Sequence, residues 1–134
     1  MRIMAIDYGD ARTGIAVSDM LGILAGETYI IKEWDAEALA DTIVSDAKAR
    51  QVGTLVLGLP KNMDGTEGPR AEKSRALGEM LKARGMTVVM WDERRTTVDA
   101  HRILRDNGKR EKNHKATVDA VAAALILEGY LGTL

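Results

Sequence analysis

Acidic residues close two apolar segments of this 134-residue chain, where a carboxylate is costly unless it is paired. Asp7 ends the first segment, and Asp92 and Glu93 directly follow the apolar segment 86–91. A further acid, Asp119, lies early in a C-terminal segment that is otherwise almost wholly apolar. Taken singly, Asp7 fits an Asx turn, and Asp119 fits an acid favoured by a helix N-terminus. Together, the three positions indicate a carboxylate site if the fold brings them to one place.

The apolar pattern predicts the strands and helices that would position these acids. Alternating or short apolar segments bounded by turn residues predict strands over 3–7, 14–18, 28–32, 52–60 and 86–91. Helical spacing with capping signals predicts helices over 35–51, 69–85, 96–107 and from 115 onward. The order β-β-β-α-β-α-β-α-α begins with a hairpin and continues with strands separated by helices. It therefore predicts an α/β fold with a mixed sheet and helices on both faces.

This topology places the strand-ending acids at one edge of the sheet. The first and fifth strands are expected to be parallel, and sites in open α/β sheets form beyond the C-terminal ends of parallel strands. Asp7 should therefore lie near the end of the segment that carries Asp92 and Glu93. Alternation along a strand sends Asp92 and Glu93 to opposite sides, so only one of them faces the site.

Three converging carboxylates would repel one another and raise one another's pKa values unless a cation is bound. Magnesium suits a site of a few carboxylates, waters and substrate phosphates, and two such ions can promote phosphodiester cleavage. The chain has no cysteine, and its two histidines, His101 and His114, do not have the i, i+4 spacing of zinc sites. The predicted cofactor is therefore Mg²⁺ or Mn²⁺, with Asp7 placed to bind both ions.

Basic residues near the predicted site could contact phosphates, although the net charge of −1 gives no such indication. The segment 102–115 is rich in Lys and Arg, and a solvated helix end with its loop explains this about equally well. The polar loop GLPKNMDGTEGP follows a predicted strand and lacks the Gly-Lys-Ser/Thr ending of a Walker A loop. The candidate phosphate contacts are Arg12, Lys61, Asn62, Arg94, Arg110, Lys112 and Lys115.

Length and composition narrow the class of protein. The chain is long enough for one domain with a real core, and its 46% hydrophobic and 29% charged residues are typical of globular proteins. No secretory signal begins the chain, and the longest apolar run, Ala120–Leu127, is too short to span a bilayer. Together with the lack of cysteine, this predicts a cytoplasmic protein without a membrane partner. Both tryptophans, Trp34 and Trp91, are expected to pack in the core or at the surface rather than to stack on bases.

Four segments resemble the YqgF family, also called RuvX: AIDYGDARTGIAVSD, VLGLPKNMDGTEGPRAEKSR, WDERRTTVDAHRIL and NHKATVDAVAAALILEGYL. These are bacterial ribonuclease H-like proteins, described as Holliday-junction-resolvase-like or as pre-16S rRNA nucleases. The resemblance covers nearly the whole chain. It implies a single ribonuclease H-like nuclease domain over 1–134, with a five-stranded sheet of order 3-2-1-4-5 in which strand 2 is antiparallel.

The resemblance also assigns the family's catalytic, metal-binding acids to Asp7, Glu93 and Asp119. It implies a metal-dependent endonuclease that acts on structured nucleic acid, with processing of the pre-16S rRNA 5′ end as the favoured role. Branched DNA is the alternative substrate, and ribosomal precursor particles are candidate partners.

Three further possibilities stay open. A non-catalytic ribosome assembly factor could keep the acids for reasons of folding. The Asp-x-Gly turn also resembles the phosphate loop of the actin and sugar-kinase superfamily, although 134 residues leave no room for the second domain those proteins need. The protein could be a monomer or a homodimer, since no interface pattern is visible.

Overall fold

The computed structural model describes residues 1–22, 25–93 and 114–134, with side chains in the last range from residue 120 onward. The strands are β1 (Arg2–Asp7), β2 (Arg12–Ser18), β3 (Ala25–Lys32), β4 (Val52–Leu59) and β5 (Thr87–Asp92). The helices are α1 (Ala36–Ala49), α2 (Pro69–Ala83) and α3 (His114–Leu131). Within these ranges, no helix is long and apolar enough to cross a membrane. The helix predicted over 96–107 lies outside the described residues.

The five strands form one sheet of order β3-β2-β1-β4-β5, which confirms the predicted order. β2 is antiparallel to both of its neighbours, whereas β1, β4 and β5 are mutually parallel. The predicted starts of two strands were wrong, since β2 begins at Arg12 rather than Gly14, and β3 at Ala25 rather than Thr28. β2 is longer because its ladder with β3 continues through Arg12, which leaves Gly14 inside the strand, opposite Asp7.

Alternation along the strands gives the sheet two differently covered faces. On the α1–α2 face, Met4 and Ile6 of β1 pack with buried residues of both helices, among them Leu39 and Leu77. On the α3 face, a second cluster combines three small or medium strand residues with one side of α3. Its members are Ala5, Ala16, Val56, Ala123, Ile126 and Leu127. Asp7 follows Ala5 by two positions and therefore faces α3.

Small residues let α3 lie close to the sheet. Ala123 is fully buried against the strands. A Cβ added to Gly129 would lie 2.7 Å from Cζ2 of Trp91, so only glycine permits this approach without a shift. The Trp91 ring also packs edge-on against Tyr130, with centroids 6.5 Å apart. The close packing fixes the helix over the same sheet face that carries Asp7.

The buried hydroxyl of Thr13 gives a first prediction. Its Oγ1 is fully enclosed and has no hydrogen-bond partner within the described part of the chain. Thr13→Val should therefore raise the free energy of unfolding by about 1 kcal/mol, because it removes an unsatisfied polar atom and keeps the branched shape. Urea unfolding measures the change. Thr13→Ser, which keeps the hydroxyl and loses the methyl, should instead destabilise, and a destabilised valine variant would contradict the prediction.

Candidate active site

Two carboxyl groups from distant strands meet at the C-terminal edge of the sheet. Asp7 ends β1, and Glu93 directly follows β5. The side chains of Asp7 and Glu93 are hydrogen-bonded to each other, and Glu93 is only 9% exposed. This contact crosses β4, which lies between the two strands in the sheet. The predicted meeting of the strand-ending acids is therefore seen in the structure for Asp7 and Glu93.

The shared hydrogen bond requires a proton on the carboxyl pair, and the surroundings favour it. Burial of Asp7 is the main cause, followed by the hydrogen bond to Glu93 and the repulsion from its charge. Together they raise the pKa of Asp7 from 3.8 to about 9, while the charge of Arg70 acts in the opposite direction. Below about pH 9, ionisation of both carboxyl groups together requires additional positive charge in the site.

Gly58 makes the contact between the acids possible. It lies in β4 on the α3 face, in register with Trp91 of β5. A Cβ at this position would lie 2.7 Å from Cδ of Glu93, 2.8 Å from its Cγ and 2.9 Å from Cδ1 of Ile126. The Glu93 side chain therefore passes directly over Gly58 to reach Asp7. Sequence reasoning missed this role, although a glycine inside a buried apolar strand is a known sign of close approach.

The other two predicted acids, Asp92 and Asp119, are not seen to join the pair of Asp7 and Glu93. Asp92 is the last residue of β5, and alternation with Met90 and Val88 places it toward the α1–α2 face, away from Asp7. The acid that meets Asp7 is therefore Glu93. Asp119 belongs to α3, but the structure describes only its backbone. Among the side chains that the structure describes, no group of three potential ligands gathers in one place.

Two cations that the sequence reasoning did not select lie at the start of α2. Arg70 acts electrostatically on Asp7, and it lines a small cleft with Lys73 and the turn 8–10. The Nζ atom of Lys73 is 3.4 Å from the Oδ1 atom of Asp10. Arg70 is the second residue of α2, and a cation in the first turn of a helix opposes the helix dipole, so its placement there costs stability. A helix start that directly follows a strand-end loop is the signal that would have found them.

The polar loop 60–68 is held by its own hydrogen bonds. The Asn62 amide donates to Oγ1 of Thr66 at 2.9 Å, and the Thr66 hydroxyl donates to Asp64 at 2.6 Å. Lys61 pairs with Glu67 in an isolated bridge, and Glu67 accepts two hydrogen bonds from Arg75 of α2, both 2.6 Å. The predicted contact residue Asn62 thus has its amide engaged within the loop.

The other predicted phosphate contacts are distributed unevenly. Arg12 lies on β2 rather than in the turn before it. Lys115 lies within α3, with its side chain outside the described part, and Arg94, Arg110 and Lys112 fall in the undescribed segment.

The described donor set fits a hard divalent cation. Asp7 and Glu93 offer only carboxylate oxygens, and they lie close enough to share a proton. Oxygen ligands of this kind suit Mg²⁺ and Mn²⁺, and a bound cation would supply the positive charge that double ionisation requires.

Bacterial proteins of one name resemble this chain over nearly its whole length. A protein of Halothermothrix orenii named "Putative pre-16S rRNA nuclease" is 45% identical over 133 residues, covering 98% of this chain and 94% of its own. A protein of the same name from Listeria monocytogenes is 43% identical over 136 residues, covering 99% of both chains.

Solved structures share the fold at low sequence identity. Thermus thermophilus RuvC in complex with a Holliday junction substrate superposes with a TM-score of 0.62, at 14% identity, covering 99% of this chain and 97% of its own. The fowlpox virus resolvase in complex with Holliday junction DNA superposes with a TM-score of 0.60 at 11% identity, covering 99% of this chain and 98% of its own. The fold is therefore ribonuclease H-like. The family model described as "RuvX: Holliday junction resolvase" matches residues 1–133, and the chain belongs to this RuvX family.

Proposed function

We propose that this protein is a metal-dependent endonuclease of the cytoplasm, with residues 1–134 as one nuclease domain. Its proposed reaction is hydrolysis of phosphodiester bonds in structured RNA, with the 5′ end of pre-16S rRNA as the preferred substrate. The observation that carries the proposal is the carboxyl pair of Asp7 and Glu93, which lies on the sheet face covered by α3 and feels the charge of Arg70. The names of the similar bacterial proteins support the choice of RNA.

Asp7 and Glu93 would hold the divalent ions, and Asp119 of α3 is the third proposed ligand. When bound, such ions supply activation of the attacking water and stabilisation of the leaving oxygen. Gly58 keeps the Glu93 carboxyl group within reach of Asp7. Arg70, whose charge already acts on Asp7, is placed to hold the scissile phosphate by a charge-assisted hydrogen bond. Of the contacts predicted from the sequence, Lys61 and the basic residues from Arg94 to Lys115 would bind flanking phosphates.

The decisive experiment is a cleavage assay on a labelled 16S rRNA precursor. Wild-type protein and Asp7→Asn protein of verified fold are compared in Mg²⁺, in Mn²⁺ and in EDTA. Metal-dependent products that disappear in the variant support the proposal. Equal products from both proteins would place the activity elsewhere. An uncut precursor that is still bound would favour the non-catalytic assembly factor.

Branched DNA is the second candidate substrate, because the family description names Holliday junction resolution. A labelled four-way junction in the same assay distinguishes the two. Paired symmetric cuts in the junction, with the precursor left intact, would replace RNA processing by junction resolution. Such cutting needs two active sites, so it would also require a homodimer.

The role of Arg70 yields a separate prediction. Arg70→Gln should lower kcat/KM for cleavage by about tenfold to a hundredfold, which is the usual effect of removing a hydrogen bond to a charged group. Lys82→Gln is the matched control, because Lys82 lies in the last turn of the same helix, far from Asp7, and pairs with Glu79. A wild-type rate for Arg70→Gln would remove this residue from the site.

A further inference from the structure

Trp34 is unusually exposed for a residue of its size. Its side chain is 78% accessible, so of the two predicted placements it lies at the surface rather than in the core, whereas Trp91 packs in the core layer under α3. Trp34 directly follows the β2–β3 ladder, which the hydrogen bond from the Glu33 backbone N–H to the Ala11 carbonyl extends beyond Lys32. The indole lines an open groove of about 400 Å³ together with Ala11, Arg12 and Lys32.

Two like charges face each other beside the indole. Arg12 of β2 and Lys32 of β3 are direct cross-strand partners, an arrangement that is destabilising when no anion lies between them. Within the described part of the chain, neither side chain has a hydrogen-bond or ion-pair partner. The pair is therefore available to an external anion.

The acids around the groove are already engaged. The Glu33 carboxylate accepts a hydrogen bond from the Asp35 backbone N–H at 3.1 Å. The Asp35 carboxylate caps α1 by accepting one from the Ala38 backbone N–H at 2.9 Å. Asp10 is paired with Lys73. The described residues that line the groove therefore include two cations, one exposed aromatic side chain and no acid.

This groove lies on the same side of the sheet as the carboxyl pair. Gly14 is the direct partner of Asp7, and Arg12 lies two positions further along β2 on the same face. Diagonal neighbours of this kind are separated by about 7–8 Å, so the groove begins one strand away from Asp7. A polynucleotide bound at Asp7 can therefore continue across Arg12 and Lys32 to the indole.

We propose that Arg12, Lys32 and Trp34 form a subsite for an unpaired nucleotide, with the base stacked on the indole and the phosphates bound by the two cations. An aromatic face beside a cationic groove is the usual arrangement for sequence-independent binding of single strands. The subsite deepens the proposed nuclease function and rests on it for its biological role. It implies that the enzyme selects substrates with a single-stranded segment next to the cleavage point.

Binding in EDTA tests the subsite without cleavage. The probes are short single-stranded oligoribonucleotides and oligodeoxyribonucleotides, with a blunt duplex as the comparison, followed by fluorescence anisotropy and by quenching of tryptophan emission. We expect quenching by single strands, and about tenfold weaker binding for Trp34→Ala. Trp34→Phe should bind nearly as well as wild type, because it keeps an aromatic face. Arg12→Gln and Lys32→Gln should each reduce the salt dependence of binding by about one phosphate contact.

The outcomes separate the subsite from the nuclease proposal. Equal affinity of wild type and Trp34→Ala for single strands, or absence of quenching, would overturn the subsite while leaving cleavage at Asp7 unaffected. Tighter binding of the blunt duplex than of either single strand would also overturn it. Quenching that depends on Trp34 supports the subsite even if the precursor is never cut, and the RNA and DNA arms show which single strand it prefers.

Discussion

Gly58→Ala is expected to lower the rate of cleavage about a hundredfold while leaving the sheet intact, because misplacing a catalytic group by about 1 Å has effects of this size. The new Cβ would overlap Cδ and Cγ of Glu93. The glutamate must then swing away from Asp7, since the β4 backbone is fixed between two parallel neighbours. The ladder itself tolerates alanine, so circular dichroism and urea unfolding should show a folded protein, destabilised by about 1–3 kcal/mol through overpacking.

Gly53→Ala provides the matched control in the same strand. Its Cβ would meet the Sδ atom of Met1 at 2.9 Å, and this is the far end of a flexible, exposed side chain that can move aside. We expect its cleavage rate to equal that of wild type. A wild-type rate for Gly58→Ala as well would show that Glu93 need not reach over β4 for the reaction.

The second large effect concerns the stability of the metal-free protein as a function of pH. The pKa of Asp7 in the fold, about 9, lies above its ordinary value of 3.8, so the folded protein holds a proton that the unfolded chain releases. The contribution of Asp7 to the free energy of unfolding should therefore be highest at low pH. It should fall as the pH rises toward about 9, by at most about 1.4 kcal/mol per pH unit. Above about pH 5 most other carboxylates are already ionised, which leaves Asp7 as the main acidic contributor.

Asp7→Asn should remove this dependence and make the metal-free protein more stable than wild type at about pH 8. The asparagine amide can donate a hydrogen bond to Glu93 without any proton being taken up. Chemical unfolding of both proteins across the pH range measures the difference, and Asp10→Asn, which changes an exposed acid of the same turn, should behave like wild type. Identical pH profiles for wild type and Asp7→Asn would contradict the raised pKa.

Adding Mg²⁺ or Mn²⁺ at about pH 8 should raise the free energy of unfolding of the wild-type protein, because the ion binds only the folded site. At an ion concentration of a hundred times the Kd, the increase is about 2.7 kcal/mol. The Asp7→Asn protein should respond much less. This comparison separates a cation that binds the carboxyl pair from a general effect of salt.

The strands could be predicted because their signals are local. The apolar segments and the glycines at their ends indicate five strands, and the right-handed connection rule then puts the C-terminal ends of β1 and β5 at one edge. That rule was enough to bring Asp7 near the Asp92-Glu93 pair. The choice of Glu93 agrees with the family resemblance and with the hydrogen bond seen in the structure. The catalytic roles stay predictions until the variants are assayed.

The features that were missed depend on which surfaces meet. Gly58 is one of 13 glycines in the chain, and its role is visible only once Glu93 is seen to cross above it. Arg70 looks like any charged residue near a helix start, because the neighbour it faces belongs to β1, more than sixty positions earlier in the chain. Trp34 has a large aromatic side chain of the kind that normally packs against other residues. Its exposure follows from the way the β2–β3 ladder ends at the sheet edge, which no local pattern encodes.

The parallel pairing of β1, β4 and β5 also has a consequence for biosynthesis. Asp7 leaves the ribosome before Glu93 and the strand that precedes it, and that strand, β5, joins the sheet at its edge. Until β5 is added, Asp7 lacks the Glu93 carboxyl group as its partner. If the proposed activity is correct, the chain cannot cleave RNA until Glu93 has been translated and β5 has joined the sheet.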